Sequence, residues 1–139
     1  MLRVVLDTVV FVRALLNPKS PWGRLLTEHN QRFMLILSEP LASETLEVLA
    51  RPKLASKFRP MMGMDMRQII DLMARAELVS PQSTPALSRD AKDDKFLAAA
   101  ETGHADYLVT EDNDLLVLKN RGQCQVVDTE TFLTILESR

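Results

Sequence analysis

Short apolar runs that end in acids, separated by stretches of helical period, constrain this chain more than any other feature of it. Leu2 to Leu6 is a β-branched apolar run that stops at Asp7. With no polar face to offer water, it reads as a strand buried on both sides. Phe33 to Leu37, Tyr107 to Thr110 and Gln125 to Val127 are three further strand candidates. Helical stretches lie between them. One runs through Phe11, Val12, Leu15 and Leu16 and closes before Asn17-Pro18. Pro21 opens the next, with Trp22, Leu25 and Leu26 on its apolar side. Glu39 to Ala50 stops at Arg51-Pro52, and Met66 to Leu78 resumes the helical pattern through Ile69, Ile70, Met73 and Ala76. A helix from about Lys92 to Glu101 is ended by Gly103, a short one lies near Leu115, and Thr129 to Leu136 closes the chain. Lys53 to Asp65 reads as irregular, and Pro81, Ser83, Thr84 and Pro85 mark a loop.

Strands alternating with helices predict an α/β fold: a three-layer, parallel β-sheet flanked by helices. No repeat, low-complexity tract or interdomain linker interrupts residues 1–139, which are expected to form a single domain. A chain of that length buries roughly two-thirds of its unfolded surface. No apolar run approaches the length of a membrane span. The first residues are too briefly apolar for a signal peptide. The single Cys124 excludes an internal disulfide and a cysteine-based zinc site. A cytoplasmic protein is expected.

The net charge of −2 announces no nucleic-acid binder, but the distribution is uneven. Asp90, Asp93, Asp94, Glu101, Asp106, Glu111, Asp112 and Asp114 crowd one region, whereas Arg51, Lys53, Lys57 and Arg59 share another with no acid among them. The first suits cations and the second phosphates.

Ligands of open α/β sheets sit outside the carboxyl ends of the strands. Two strands deliver acids there: the first gives Asp7, and the third gives Glu111, Asp112 and Asp114. Capping of the next helix is the plainer role for Asp7. Glu44 shares a helical face with Leu41 and Val48, so it must be paired, bound to a metal or solvated. Glu47, on the same helix, reads as a solvent-facing charge. Asp94 lies on a face with Leu97, Ala98 and Glu101, and is either a site residue or a first-turn helix acid like Asp93, with Asp90 as N-cap. Asp106 reads as a turn residue. Carboxylates that converge with few His or Cys to compete favour a hard cation, and they repel one another without it.

The segments Val4–Thr8, Ser43–Lys53, Arg89–Leu97 and Ala105–Leu116, in that order and spacing, resemble PIN-domain proteins over nearly the whole chain. The nearest resemblance is to the bacterial branch of toxin–antitoxin toxins, the VapC-like ribonucleases. It implies a parallel sheet whose acids bind one or two Mg²⁺ or Mn²⁺ ions. Asp7, Glu44, Asp94 and Asp112 match the four main acids, catalytic and metal-binding, with Asp114 as an accessory metal ligand. Thr8 and Thr110 match hydroxyls that hydrogen-bond within the site. The implied partners are RNA as substrate, a cognate antitoxin and a second copy of the chain as homodimer. One departure stands out: the family's first motif reads Asp-Thr-Asn, and this chain has Asp7-Thr8-Val9. The missing amide would have oriented carboxylates, so weakened or altered activity is expected.

The chemistry implied is phosphodiester hydrolysis by an Mg²⁺- or Mn²⁺-dependent endonuclease, leaving a 5′-phosphate and a 3′-hydroxyl. It uses no ribose 2′-hydroxyl, so RNA rests on the resemblance alone. Arg51, Lys53, Lys57 and Arg59, then Arg13, Lys19 and Arg24, are the residues to hold phosphates, unless they form a solvated surface. Met61, Met62, Met64 and Met66 form either an adaptable contact surface or core filling. His29 and His104 read as surface residues, Trp22 and Phe33 as core. The rival reading is a catalytically weak or silent PIN fold acting as a protein-binding module, which Val9 favours. A phosphoacceptor receiver domain lacks its lysine here, and four glycines supply no phosphate loop.

Overall fold

The computed structural model describes residues 1–51, 66–81 and 94–139. Lys53, Lys57, Arg59, the methionines at 61, 62 and 64, Ser83 to Pro85, Asp90 and Asp93 lie outside the described residues. The described elements run β1 (Leu2–Leu6), α1 (Thr8–Leu16), α2 (Pro21–Thr27), β2 (Phe33–Ser38), α3 (Glu39–Leu49), α4 (Met66–Ala74), β3 (Glu77–Val79), α5 (Asp94–Thr102), β4 (Tyr107–Val109), α6 (Asn113–Leu116), β5 (Asn120–Arg121), β6 (Cys124–Val127) and α7 (Thr129–Glu137).

The six strands form one sheet in the order β3-β2-β1-β4-β6-β5. All neighbours are parallel except β5, which pairs antiparallel with β6 at the edge. The expected α/β layering, a largely parallel sheet flanked by helices, is what the chain adopts. β1 lies inside the sheet and has Val4 and Val5 with no exposed surface, which is why its sequence is apolar at both alternations. Phe132 of α7 is also fully buried and packs edge-on to Phe33, with ring centroids 5.9 Å apart, and against Tyr107 at 5.4 Å. Burial of such a ring contributes roughly 1.5–3 kcal/mol.

α1, α3, α6 and α7 are each started by a polar residue at or near the carboxyl end of the strand before it. Ser38 caps α3 through the Leu41 N–H, and Asp128 caps α7 through the Thr131 N–H. Ser20 caps α2 in the same way, bonding the Gly23 N–H at 3.2 Å. Position 23 admits only glycine, because a Cβ there would stand 2.1 Å from the Pro18 carbonyl oxygen.

Two sequence expectations are corrected. The helical pattern from Met66 ends at Ala74, and Glu77–Val79 is instead a strand, paired in parallel with Ile36–Ser38. The backbone there gains a ladder with β2, and the Arg3 guanidinium grips the Glu77 carboxylate. His29 is buried rather than on the surface, with Nδ1 3.3 Å from an Arg32 guanidinium nitrogen. His104 is exposed, as expected. Among the described residues, no helix is long and apolar enough to cross a membrane.

Candidate functional site

Pairing of β1 with β4 aligns Leu6 with Val109, so the residues that follow the two strands stand side by side. The Asp7 N–H donates to the Val109 carbonyl at 2.9 Å, and the Thr110 N–H to the Val127 carbonyl at 3.0 Å. A chain of hydrogen bonds starts there. The fully buried Thr110 hydroxyl donates to Asp7 Oδ2 at 2.7 Å and accepts from the Asp112 N–H at 3.0 Å. Asp112 in turn caps α6, its Oδ1 accepting from the Asp114 N–H at 2.8 Å. A hydroxyl has one proton to give, the Asp112 N–H can only donate, and an ionised carboxylate can only accept, so Thr110 donates to Asp7. Asp7 also caps α1, accepting from the Val9 N–H at 3.3 Å. Of the two roles open in the sequence, the capping one is observed, and the same carboxylate also reaches Thr110 of the neighbouring strand end.

Glu44 enters from α3. Its Oε2 accepts from the Thr8 hydroxyl at 2.8 Å, and its Oε1 is ion-paired with Lys95 Nζ. Thr8 Oγ1 also lies 3.3 Å from the buried Thr45 hydroxyl. Asp94, the first residue of α5 and buried, immediately precedes Lys95. The Lys95–Glu44 pair thus ties the start of α5 to α3. Glu47 is exposed, 3.9 Å from Arg51.

Burial pushes the Asp7 carboxyl above its ordinary range, and the negative charges of Asp112 and Glu44 push it further. The Thr110 hydroxyl and the Val9 N–H pull the other way without cancelling the effect. Asp7, Glu44 and Asp112 therefore share one electrostatic neighbourhood. Asp114 lies in the first turn of α6, two residues after Asp112.

Among the described residues, no three His, Cys, Asp or Glu side chains converge tightly enough to hold one ion as they stand. As the side chains stand, both Glu44 oxygens have partners in Thr8 and Lys95, and Asp7 Oδ2 accepts from Thr110. Donor chemistry suits a hard divalent cation, since every candidate ligand is a carboxylate oxygen. The spacing is that of a site closed on its own hydroxyls and lysine.

The basic residues are more dispersed. Arg51 is exposed beside Glu47, and Lys19 is exposed. Arg13 lies over the Trp22 ring, 4.9 Å from its centroid, and Arg24 pairs with Glu28 and Glu137. Phe33 is in the core, while Trp22 is only partly buried.

Two residues of this edge have partners that the sequence does not show. Lys95 is one; it neighbours Asp94, but its partner lies 51 positions away. Glu111 is the other. Its Oε1 accepts from the Trp22 indole N–H at 3.0 Å and the Thr129 N–H at 3.1 Å, anchoring the loop that carries Asp112 to α2 and α7. Its place in the acidic run was a signal; the role of the tryptophan as its donor was not visible.

Known proteins align with this arrangement. Over 129 residues the chain is 29% identical to the uncharacterized protein MJ1680 of Methanocaldococcus jannaschii, covering 88% of this chain and 78% of that protein. Its fold is similar to PAE2754 from Pyrobaculum aerophilum, with a TM-score of 0.55 at 17% identity, covering 99% of this chain and 97% of that one. It is also similar to VapBC2 from Rickettsia felis, solved bound to a DNA fragment from their promoter. There the TM-score is 0.58 at 13% identity, covering 91% of this chain and 98% of that one. At such identities these two structures speak for the fold. A family profile described as PIN domain matches residues 3–114, a span that takes in both acid-bearing strand ends and Glu44. On that match, the chain belongs to the PIN-domain family.

Proposed function

We propose that this chain is a metal-dependent endoribonuclease, the toxin of a type II toxin–antitoxin pair. PIN domains are generally nucleases, and the observation that carries the reading here is Asp7. It is a buried carboxyl held at the sheet's carboxyl edge, with Asp112 and Glu44 near enough to raise its proton affinity. A protein that gathers like charges in this way gains by binding a cation. Asp7, Asp94 and Asp112 are the residues to hold Mg²⁺ or Mn²⁺, with Glu44 and Asp114 beside them. Such an ion, when bound, activates water and neutralises charge on a leaving oxygen. The chain's own contribution is positional: Thr110 fixes Asp7 against Asp112, and Thr8 fixes Glu44.

RNA as substrate, an antitoxin partner, a homodimer and a cytoplasmic setting belong to the same proposal. Their support is the resemblance to VapC-like proteins, along with the fold shared with VapBC2. The relative MJ1680 is archaeal, so the proposal is for a VapC-like protein without assignment to a bacterial branch.

The test is cleavage of a single-stranded RNA by the purified chain with Mn²⁺. Product should appear, vanish with chelator, and fall more than about 100-fold in Asp7→Asn, beyond what loss of an outer hydrogen bond costs. Val9 supports a second reading. Its partly buried side chain packs against the core beside Asp7, where the family places an amide. A silent protein-binding module would give no metal-dependent product at any protein concentration.

A further inference from the structure

Among the described residues, Glu44 is ion-paired with a cation of the chain's own. Lys95 Nζ is ion-paired with its Oε1 while the Thr8 hydroxyl occupies its Oε2. The pair is neither sealed nor free, with side-chain exposures of 26% for Lys95 and 31% for Glu44. A sealed pair would be too costly to open, and a free one would hold nothing. Lys95 also directly follows Asp94 at the start of α5, so the cation paired with Glu44 is carried by the residue next to a second acid.

We propose that Lys95 is a built-in counter-ion that occupies Glu44 in place of a divalent cation, so that metal loading exchanges the ammonium for the ion. The inference rests on the reading that this acid cluster takes a metal. It explains why Glu44 stands closed, with no open carboxylate oxygen, before loading. The displaced ammonium has somewhere to go: Lys95 borders a cleft of about 180 Å³ between the start of α3 and the end of β3, with Glu39 on its wall. In that position its charge is also retained close to the acids, where a phosphate would approach. Lys95 is thus a positioning residue that tunes cation affinity.

Mn²⁺ titration of the full chain, read by the electron paramagnetic resonance of the free ion, tests this. Removing the competitor in Lys95→Met should tighten Mn²⁺ binding about fivefold, the worth of a partly exposed ion pair. Lys95→Arg keeps the charge and should bind as wild type does. Unchanged or weaker binding by Lys95→Met overturns the proposal. A second measurement needs no variant: reductive methylation of Lys95, followed by peptide mass spectrometry, should speed up when Mn²⁺ saturates the wild-type chain. A rate unmoved by Mn²⁺ overturns the exchange. If wild type takes up no Mn²⁺ at all, the metal reading itself fails and this inference falls with it. Equal uptake by wild type and Lys95→Met removes the counter-ion alone.

Discussion

Asp7 and Glu44 are two carboxylates of one sheet edge, and the chain treats them in opposite ways. Asp7 is buried and, among the described residues, meets only dipoles: a threonine hydroxyl and a backbone N–H. Glu44 is about one-third exposed and meets a full positive charge. Dipoles hold a carboxylate in place but leave its charge uncancelled, so the Asp7 half stores electrostatic cost. The Glu44 half is neutral and wet, and little stability depends on it. The lesson is that an acidic cluster need not be uniform. One part can be rigid and strained while another is ready to exchange partners.

Replacing Thr110 attacks the rigid half and should have the largest effect. Thr110→Val keeps the volume of a fully buried side chain but removes the donor to Asp7 and the acceptor for the Asp112 N–H. Hydrogen bonds to charged groups are worth most when buried, so urea unfolding in chelator should show a loss of about 2–3 kcal/mol. A loss below about 0.5 kcal/mol, the ordinary surface range, would remove the contrast between the halves.

A smaller effect, of opposite sign, is expected for Asp7→Asn. The folded chain holds the Asp7 proton more tightly than the unfolded chain, whose carboxyl titrates near 3.8. The folded state therefore loses stability as pH rises from 3.8 through the raised value, and does not regain it at neutral pH. Asparagine caps a helix as well as aspartate does and carries no charge. Without metal, Asp7→Asn should be more stable than wild type at pH 7, with the gap closing as pH falls towards 4. A gap that widens on acidification contradicts the raised carboxyl.

Smallest of the three is Thr8→Val, in the wet half. Glu44 loses one hydroxyl but keeps Lys95 and gains water, so the cost should stay below about 1 kcal/mol. If the same urea experiment gave a cost matching Thr110→Val, the two halves would be alike after all.

How much of this was legible in the sequence follows from how local each signal is. β1 and Asp7 could be read because Val4, Val5 and Leu6, buried on both faces, form an apolar run that an acid ends at once. At β4 the run Leu108-Val109 is ended in a similar way by Thr110, with Glu111 and Asp112 directly after it. β3 was not: it is a three-residue edge strand whose Leu78 is 70% exposed, so its apolar character reported nothing about the core. The two-residue β5 leaves no periodicity at all. Burial of His29 depends on what packs around the end of α2, which local composition does not encode. The pairings Lys95–Glu44 and Trp22–Glu111 span 51 and 89 positions, and only the folded sheet brings them together.

The position of β1 inside the sheet has a consequence for the chain as it is made. Asp7 leaves the ribosome well before its hydroxyl partner Thr110, which is 103 residues further on. At roughly 5–20 residues per second, that gap corresponds to roughly 5–20 seconds of translation. Late in that interval the growing polypeptide contains Asp7 and Glu44 but still lacks Thr110 and Asp112. Until the fourth strand has been synthesised, the hydrogen bonds that tie Asp7 to Asp112 through Thr110 cannot form.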